Sequence, residues 1–270
     1  MRVRDLIKLI TPPFIFNLCT KFFRSEHYAF KGVYSNISEV PIKNKGYKNN
    51  DYINQRSLQL NNLKDNFLQW SELPEAKSGS DHYQLLPFLV SVIKVKKKKI
   101  VILDFGGGAA EALIACYKHS LIKDIDFHIV ETTEFIKISK KLTNQINQLN
   151  WYDSIPNSLD NLDIVNIGSS LQYVSDYKNT LLDLIEHRPS YILFTDTFMG
   201  KKDAYATQQM NIKGLSFPVW IFNLDEIIKL LFRYDYELIF KSTNFQNELT
   251  FDVPNDFQVK DSVNLLFKSC

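Results

Sequence analysis

The sequence predicts an α/β fold: a mostly parallel seven-stranded sheet, an antiparallel hairpin at its edge and a helical amino-terminal extension. Three observations lead there. From residue 99 onward, runs of β-branched and aromatic residues alternate with segments of helical spacing, the pattern of a parallel sheet wrapped on both faces. Three glycines, Gly106 to Gly108, directly follow the first such run, where a strand turns into a helix. The last two runs have no helix between them, so they pair as a hairpin.

The elements follow in chain order. Residues 1–24, "MRVRDLIKLITPPFIFNLCTKFFR", are basic and apolar, broken by Pro12-Pro13 and interrupted by Lys8 and Lys21. An uninterrupted membrane span needs about 20 apolar residues, and no small-residue cleavage site follows. The segment therefore reads either as an amphipathic stretch lying on an anionic membrane surface or as a helix packed on protein. Residues 25–80 are polar and contain turn signals such as "IKNKGYKNND", which suits a helical, partly irregular cap. Residues 81–270 form the main domain. There "DHYQLLPFLVSVI" is a helix leading into the core, and "KIVILDF" is the first strand. Then come the helix "AAEALIACYKHSL", the strand "IDFHIVE", the helix "TEFIKISKKLTNQIN", and the strands "LNWYDSI" and "LDIVNIGSS". The helix "YKNTLLDLIEHR", the strand "SYILFTDTF", the helix "NLDEIIKLLFRY" and the pair "YELIFKSTN" and "SVNLLFKS" complete the domain.

Composition limits the functional classes. The chain has 270 residues and 45% hydrophobic content, enough for a sizeable core. Its 32 basic residues nearly balance 30 acidic ones, which argues against a nucleic-acid binder. Cys19, Cys116 and Cys270 show no CxxC spacing, so neither a disulfide framework nor a metal site is expected and a reducing cytoplasm is the natural compartment. The lysine run at Lys94 to Lys99 precedes the first strand, whereas ligands of open α/β sheets sit at the carboxyl ends, so it reads as a solvated turn.

Three glycine signatures compete at Gly106. The P-loop is absent, because no GxxxxGK followed by Ser or Thr occurs. The dinucleotide pattern GxGxxG fails at its third position, where Glu111 would set a carboxylate near a pyrophosphate. What remains is Asp-x-Gly-x-Gly, Asp104 to Gly108, with Glu131 ending the next strand, where a carboxylate can accept hydrogen bonds from both hydroxyls of a ribose. This pattern resembles the first motif of Rossmann-like S-adenosylmethionine methyltransferases. The stretch "LDIVNIGSSLQYV" is similar to the fourth-strand motif of the same superfamily. In that resemblance Asp104, Gly106, Gly107, Gly108, Glu131, Ser169, Ser170 and Gln172 contact or organise the S-adenosyl-L-methionine cofactor. Ser169 and Ser170 also read as a helix cap. Ala110 departs from the motif, which commonly has a third alternate glycine there.

Five stretches, "VILDFGGGAAEAL", "IVETTEF", "NIGSSLQYV", "ILFTDTF" and "FPVWIF", occur in this order. Together with "FKGVYSNISEV" and "GYKNNDYI" they resemble a subfamily of methyltransferases found among bacterial genes for surface-polysaccharide assembly, over residues 25–245. The resemblance implies methyl transfer to a glycan or to a nucleotide- or lipid-linked sugar, in the cytoplasm or on the inner face of the membrane. A non-catalytic interaction protein that keeps the fold is the other reading. For O-methylation a base is needed. Asp196, after the fifth strand, and His82 and Tyr83, in the segment entering the core, are the candidates. His119, His128 and His187 read as core or surface residues. The stretch 199–220 reads as an acceptor-binding lid, with Trp220 either a sugar-stacking surface or a core aromatic beside Pro218.

Overall fold

A computed structural model describes residues 29–42, 53, 54, 56–58, 60, 61, 85–94, 97–119, 124–144, 146–210, 215–245 and 251–270. Residues 1–24, His82 and Tyr83 lie outside the described residues, as does most of the 43–84 stretch.

The parallel core is built as the alternation predicts. Strands β2 (Ile100–Phe105), β3 (Ile125–Val130), β4 (Leu149–Tyr152), β5 (Ile164–Gly168) and β6 (Tyr191–Gly200) run parallel in the order β4-β3-β2-β5-β6. β2 reads IVILDF, with four of its six residues buried and the other two half-buried, as expected of a strand covered on both faces. Helices α1 (Leu85–Lys94), α2 (Glu111–His119) and α3 (Thr133–Leu142) share one buried cluster with the near face of this sheet. Leu60, from a short helical segment within 53–61, joins that cluster. Helices α4 (Tyr177–Glu186) and α5 (Leu224–Phe232) cover the far face through Leu181, Leu184, Ile185, Ile227 and Leu231. Each starts on a side-chain cap: Asp176 accepts from the Asn179 amide, and Asn223 from the Glu226 amide.

The chain order β2-β3-β4 builds outward on one side of β2, and β5-β6 builds outward on the other. The topological switch point, where open sheets place their ligand crevice, therefore lies between β2 and β5.

The sheet has eleven strands among the described residues, not seven. The expected hairpin is present: β9 (Tyr236–Phe245) pairs antiparallel with β11 (Asp261–Ser269), which itself pairs antiparallel with β6. The four additional strands are β1 (Phe30–Tyr34), β7 (Tyr205–Gln209), β8 (Phe217–Asn223) and β10 (Phe251–Asp252). They form a wing in the order β10-β1-β7-β8 with its own apolar cluster of Phe30, Tyr205, Phe217, Val219 and Ile221. Two expectations change with it. The polar cap at 25–80 contributes a strand, β1, and the supposed lid at 199–220 holds β7 and β8. The lid reading took polar residues as loop signals. Yet Thr207, Gln208 and Gln209 are buried in a strand, with Thr207 Oγ1 donating to Lys31 O and Gln208 Nε2 to Pro41 O.

β6 joins core and wing by forking. Its first part pairs with β11, and its last two residues, Met199 and Gly200, pair with Phe222 and Asn223 of β8. A bulge lies just before the fork, where Thr195 and Asp196 face Asn264 of β11, and Asp196 has φ 50. Side chains stitch it: the Asp196 amide donates to Asn264 Oδ1 at 2.9 Å, and Ser262 Oγ donates to Asp196 Oδ1 at 2.5 Å. The expectation that the fifth strand ends before Asp196 is thus corrected, since the strand runs on to Gly200. Asp196→Ala is expected to lower the unfolding free energy in urea by about 1–3 kcal/mol, through the lost hydrogen bond and a left-handed alanine. Affinity for S-adenosylhomocysteine should stay within about twofold, because the residue lies in the fork and lines no part of the cleft described below. An affinity loss matching the stability loss would refute this placement.

Candidate functional site

A cleft of about 650 Å³ opens at the carboxyl ends of β2, β3, β4 and β5, over the switch point. Of the residues singled out from sequence, Asp104, Gly106, Gly107, Gly108, Glu131, Ser169 and Ser170 line it together. Gln172 lies just behind, buried, with Nε2 donating to Ser169 Oγ at 2.8 Å. Asp196 and Trp220 do not line it. Trp220 is buried and donates from Nε1 to Val174 O at 3.1 Å, as a core aromatic. His128 is buried beside Tyr152, its Nδ1 3.0 Å from the phenol oxygen, and burial pushes its pKa below the usual histidine value. His119 ends α2, and His187, which caps α4, does not line the cleft.

The glycine turn is tight because the protein itself needs the room. A Cβ on Gly106 would sit 2.4 Å from Ser170 Cβ, one on Gly107 2.5 Å from Asp104 Oδ2, and one on Gly108 2.0 Å from Arg56 Nη2. Gly106 and Gly108 also have positive φ, 69° and 54°, where a side chain is strained. Ala110 keeps the turn's left-handed geometry (φ 62) despite carrying a Cβ, so the departure from the alternate-glycine pattern changes the residue and not the backbone path.

Hydrogen bonds then close the turn's donors. The amide of Gly106 donates to Val130 O, that of Gly108 to Glu131 Oε2, that of Ala109 to Glu111 Oε2 and that of Ala110 to Gly107 O. A phosphate-binding turn presents such amides to its ligand. Here two carboxylates and two carbonyls occupy them. This revises the argument from Glu111. Its carboxylate is not a bare charge, because Arg56 of the 53–61 helical segment clasps it, Nη1 to Oε1 at 2.8 Å and Nη2 to Oε2 at 3.3 Å. What disfavours a pyrophosphate is the shortage of unoccupied amides. The cleft's charges act in the same direction, with Asp104, Glu111, Glu131 and Asp153 against Arg56.

Asp104 is the electrostatic centre. It is 2% exposed, and its Oδ1 accepts from Asn166 Nδ2 at 2.7 Å. Burial raises its pKa to about 7, opposed by the Asn166 hydrogen bond and reinforced by the charges of Glu111 and Glu131. Its other oxygen, Oδ2, has no hydrogen-bond partner among the described residues, and neither do Asn166 Oδ1 and Gln172 Oε1. Buried acceptors are nearly always satisfied, so these atoms lack a donor; of the three residues, Asp104, near the carboxyl end of β2, lines the cleft, while Asn166 and Gln172 lie behind it. A cationic, donor-bearing ligand fits such a site, and an anion does not.

Sequence reading missed Arg56, Thr132, Asp153, Tyr173, Val174, Thr180 and Phe217, all of which line the cleft. Asp153 had a signal, since it follows the third strand of the parallel core at its carboxyl end. Arg56, 55 residues before its partner, had none.

No family model and no curated protein matches the chain. Solved structures are similar at low identity. A 1,6-didemethyltoxoflavin-N1-methyltransferase from Burkholderia thailandensis, with 1,6-didemethyltoxoflavin and S-adenosylhomocysteine bound, is 11% identical over 80% of this chain and 87% of that one, with a TM-score of 0.46. The CcbJ methyltransferase of Streptomyces caelestis is 10% identical over 75% and 95%, at a TM-score of 0.45. The amino-terminal domain of EvdMO1, crystallised in the presence of S-adenosylhomocysteine and D-fucose, is 12% identical over 79% and 96%, at 0.47. Likeness at this level does not bear on activity, for which the chemistry of the cleft has to speak.

Proposed function

We propose that the chain is an S-adenosylmethionine-dependent methyltransferase that methylates a sugar hydroxyl of a surface glycan or its precursor. One observation supports the cofactor above the others: an acidic cleft at the sheet's switch point, its turn amides already occupied, with the buried Asp104 carboxyl short of a donor. A ligand with a sulfonium and an ammonium group and no phosphate suits that chemistry. When bound, it supplies an activated methyl group. The chain's own residues do the placing. Glu131, half-buried at the end of β3, holds the ribose hydroxyls, and the carboxyl of Asp104 faces the ammonium end. Thr132 and Asp153 to Ile155 wall the side toward β4. Displacement at a methyl carbon depends on alignment, and holding both reactants in one cleft provides it.

Calorimetry tests this directly. S-adenosylhomocysteine should bind while NADH does not. Glu131→Ala should weaken binding about 10- to 100-fold, the loss of hydrogen bonds to a charged group, in a protein that melts as the wild type does. Equal affinity in the folded variant would remove Glu131 from the site, and NADH binding would overturn the cofactor. Tight cofactor binding with no methyl transfer to cell-envelope extracts would instead favour the interaction protein that retains the fold.

A further inference from the structure

The end of the cleft away from β3 and β4 is formed by Ser170, Tyr173, Val174, Thr180 and Phe217. Three of these carry hydroxyls, and each proton already has a protein acceptor. Ser170 Oγ donates to Phe105 O at 2.5 Å, Thr180 Oγ1 to Asp176 O at 2.9 Å, and the Tyr173 phenol to Gln209 Oε1 of the wing at 2.7 Å. A hydroxyl whose proton is committed can act toward a ligand only as an acceptor. Ser169 Oγ differs, because it accepts from Gln172 and keeps its own proton. The charged groups elsewhere in the cleft are carboxylates, except Arg56, which is clasped by Glu111. Acceptor chemistry therefore dominates this end, next to a negative field.

We infer that the methyl-accepting group entering this end is a neutral or cationic hydrogen-bond donor, such as a polyhydroxyl or amino-sugar ring, and that an acidic sugar or a phosphate is refused. Except at Ser169 Oγ, a carboxylate or phosphate would meet side-chain oxygen lone pairs with no proton between them, and like-charge contact costs binding heavily. In a nucleotide- or lipid-linked acceptor the phosphates must then lie outside the cleft. The inference rests on the proposed cofactor only for which end stays open to the acceptor.

The test is saturation-transfer NMR with four probes: methyl α-glucopyranoside, glucosamine, glucuronate and glucose 6-phosphate. Each is titrated with and without S-adenosylhomocysteine, so failure of the cofactor and failure of the selectivity are read separately. The neutral and cationic probes should bind at least about tenfold more tightly than the two acidic ones. Thr180→Arg, which places donors and a positive charge at this end, should raise glucuronate affinity by about tenfold and leave S-adenosylhomocysteine affinity unchanged. Equal or tighter binding of the acidic probes to the wild type would overturn the inference. So would an absence of binding by all four, or a Thr180→Arg protein that is folded and no better for glucuronate.

Discussion

Replacing Gly106 with valine is expected to reduce S-adenosylhomocysteine affinity by at least about 1,000-fold, or to leave no measurable binding. Two costs combine. The residue has φ 69, where a β-branched side chain is strained, and even a Cβ would lie 2.4 Å from Ser170 Cβ. Relief means pushing Ser170 away, which breaks its hydrogen bond to Phe105 O and separates the ends of β2 and β5. The ligand crevice lies between those ends, so displacement there removes alignment as well as contact. Gly168 is the control. It has no positive φ, and an added Cβ would meet Thr195 Oγ1 at an uncomfortable but yielding 3.3 Å. Gly168→Ala should therefore bind S-adenosylhomocysteine within about threefold of wild type. If isothermal titration shows both variants equally impaired, or Gly106→Val intact, the turn does not form the site.

Asp104→Asn should change how stability depends on pH. The folded carboxyl titrates near 7 and the unfolded one near its ordinary value of 3.8, so between these the native state holds more protons than the unfolded state. Stability from this group is then fully present below about pH 4, falls as pH rises to about 7, and stays level above. The asparagine variant lacks this slope. Urea denaturation at pH 5 and pH 8 should show the wild type losing ground to Asp104→Asn by up to about 2.5 kcal/mol, the part of the shift that lies above pH 5. Ligand binding reverses the preference, because an ammonium favours the ionised carboxyl. S-adenosylhomocysteine affinity of the wild type should drop as pH falls from 7 to 5, by up to about tenfold per unit, and that of the variant should not. A wild type and variant with parallel pH profiles would show that Asp104 ionises like an exposed carboxyl.

What the sequence made legible follows the range over which its signals act. Asp104, Gly106 to Gly108 and Glu131 were readable because strand ends and turns are set by neighbours a few residues away, and the parallel sheet brings such ends together. Ser169 and Ser170 came by the same rule at the end of β5. The wing was not readable. β7 has the sequence YATQQ, and glutamines signal a loop until strands from residues 30–34 and 217–223 flank it and supply their partners. Arg56 escaped for the same reason: its role exists only once Glu111 is placed beside it. Asp196 misled because a carboxylate at an apparent strand end looks like a site residue, while the strand continues past it through a bulge.

Past that bulge, one strand joins two parts of the sheet. Among the described residues, backbone pairing between wing and parallel core passes through two residue pairs of β6 and β8, Met199 with Phe222 and Gly200 with Asn223. The wing nonetheless brings Phe217 to the cleft and holds the Tyr173 phenol through Gln209. Substitutions that accumulate in β1 and β7 can therefore reshape the wall proposed to face the acceptor without disturbing the register of β2, β3 and β5, where the cofactor contacts are proposed. Under the proposed function, descent with change in acceptor is a matter of the wing, and inheritance of the methyl donor belongs to the parallel core.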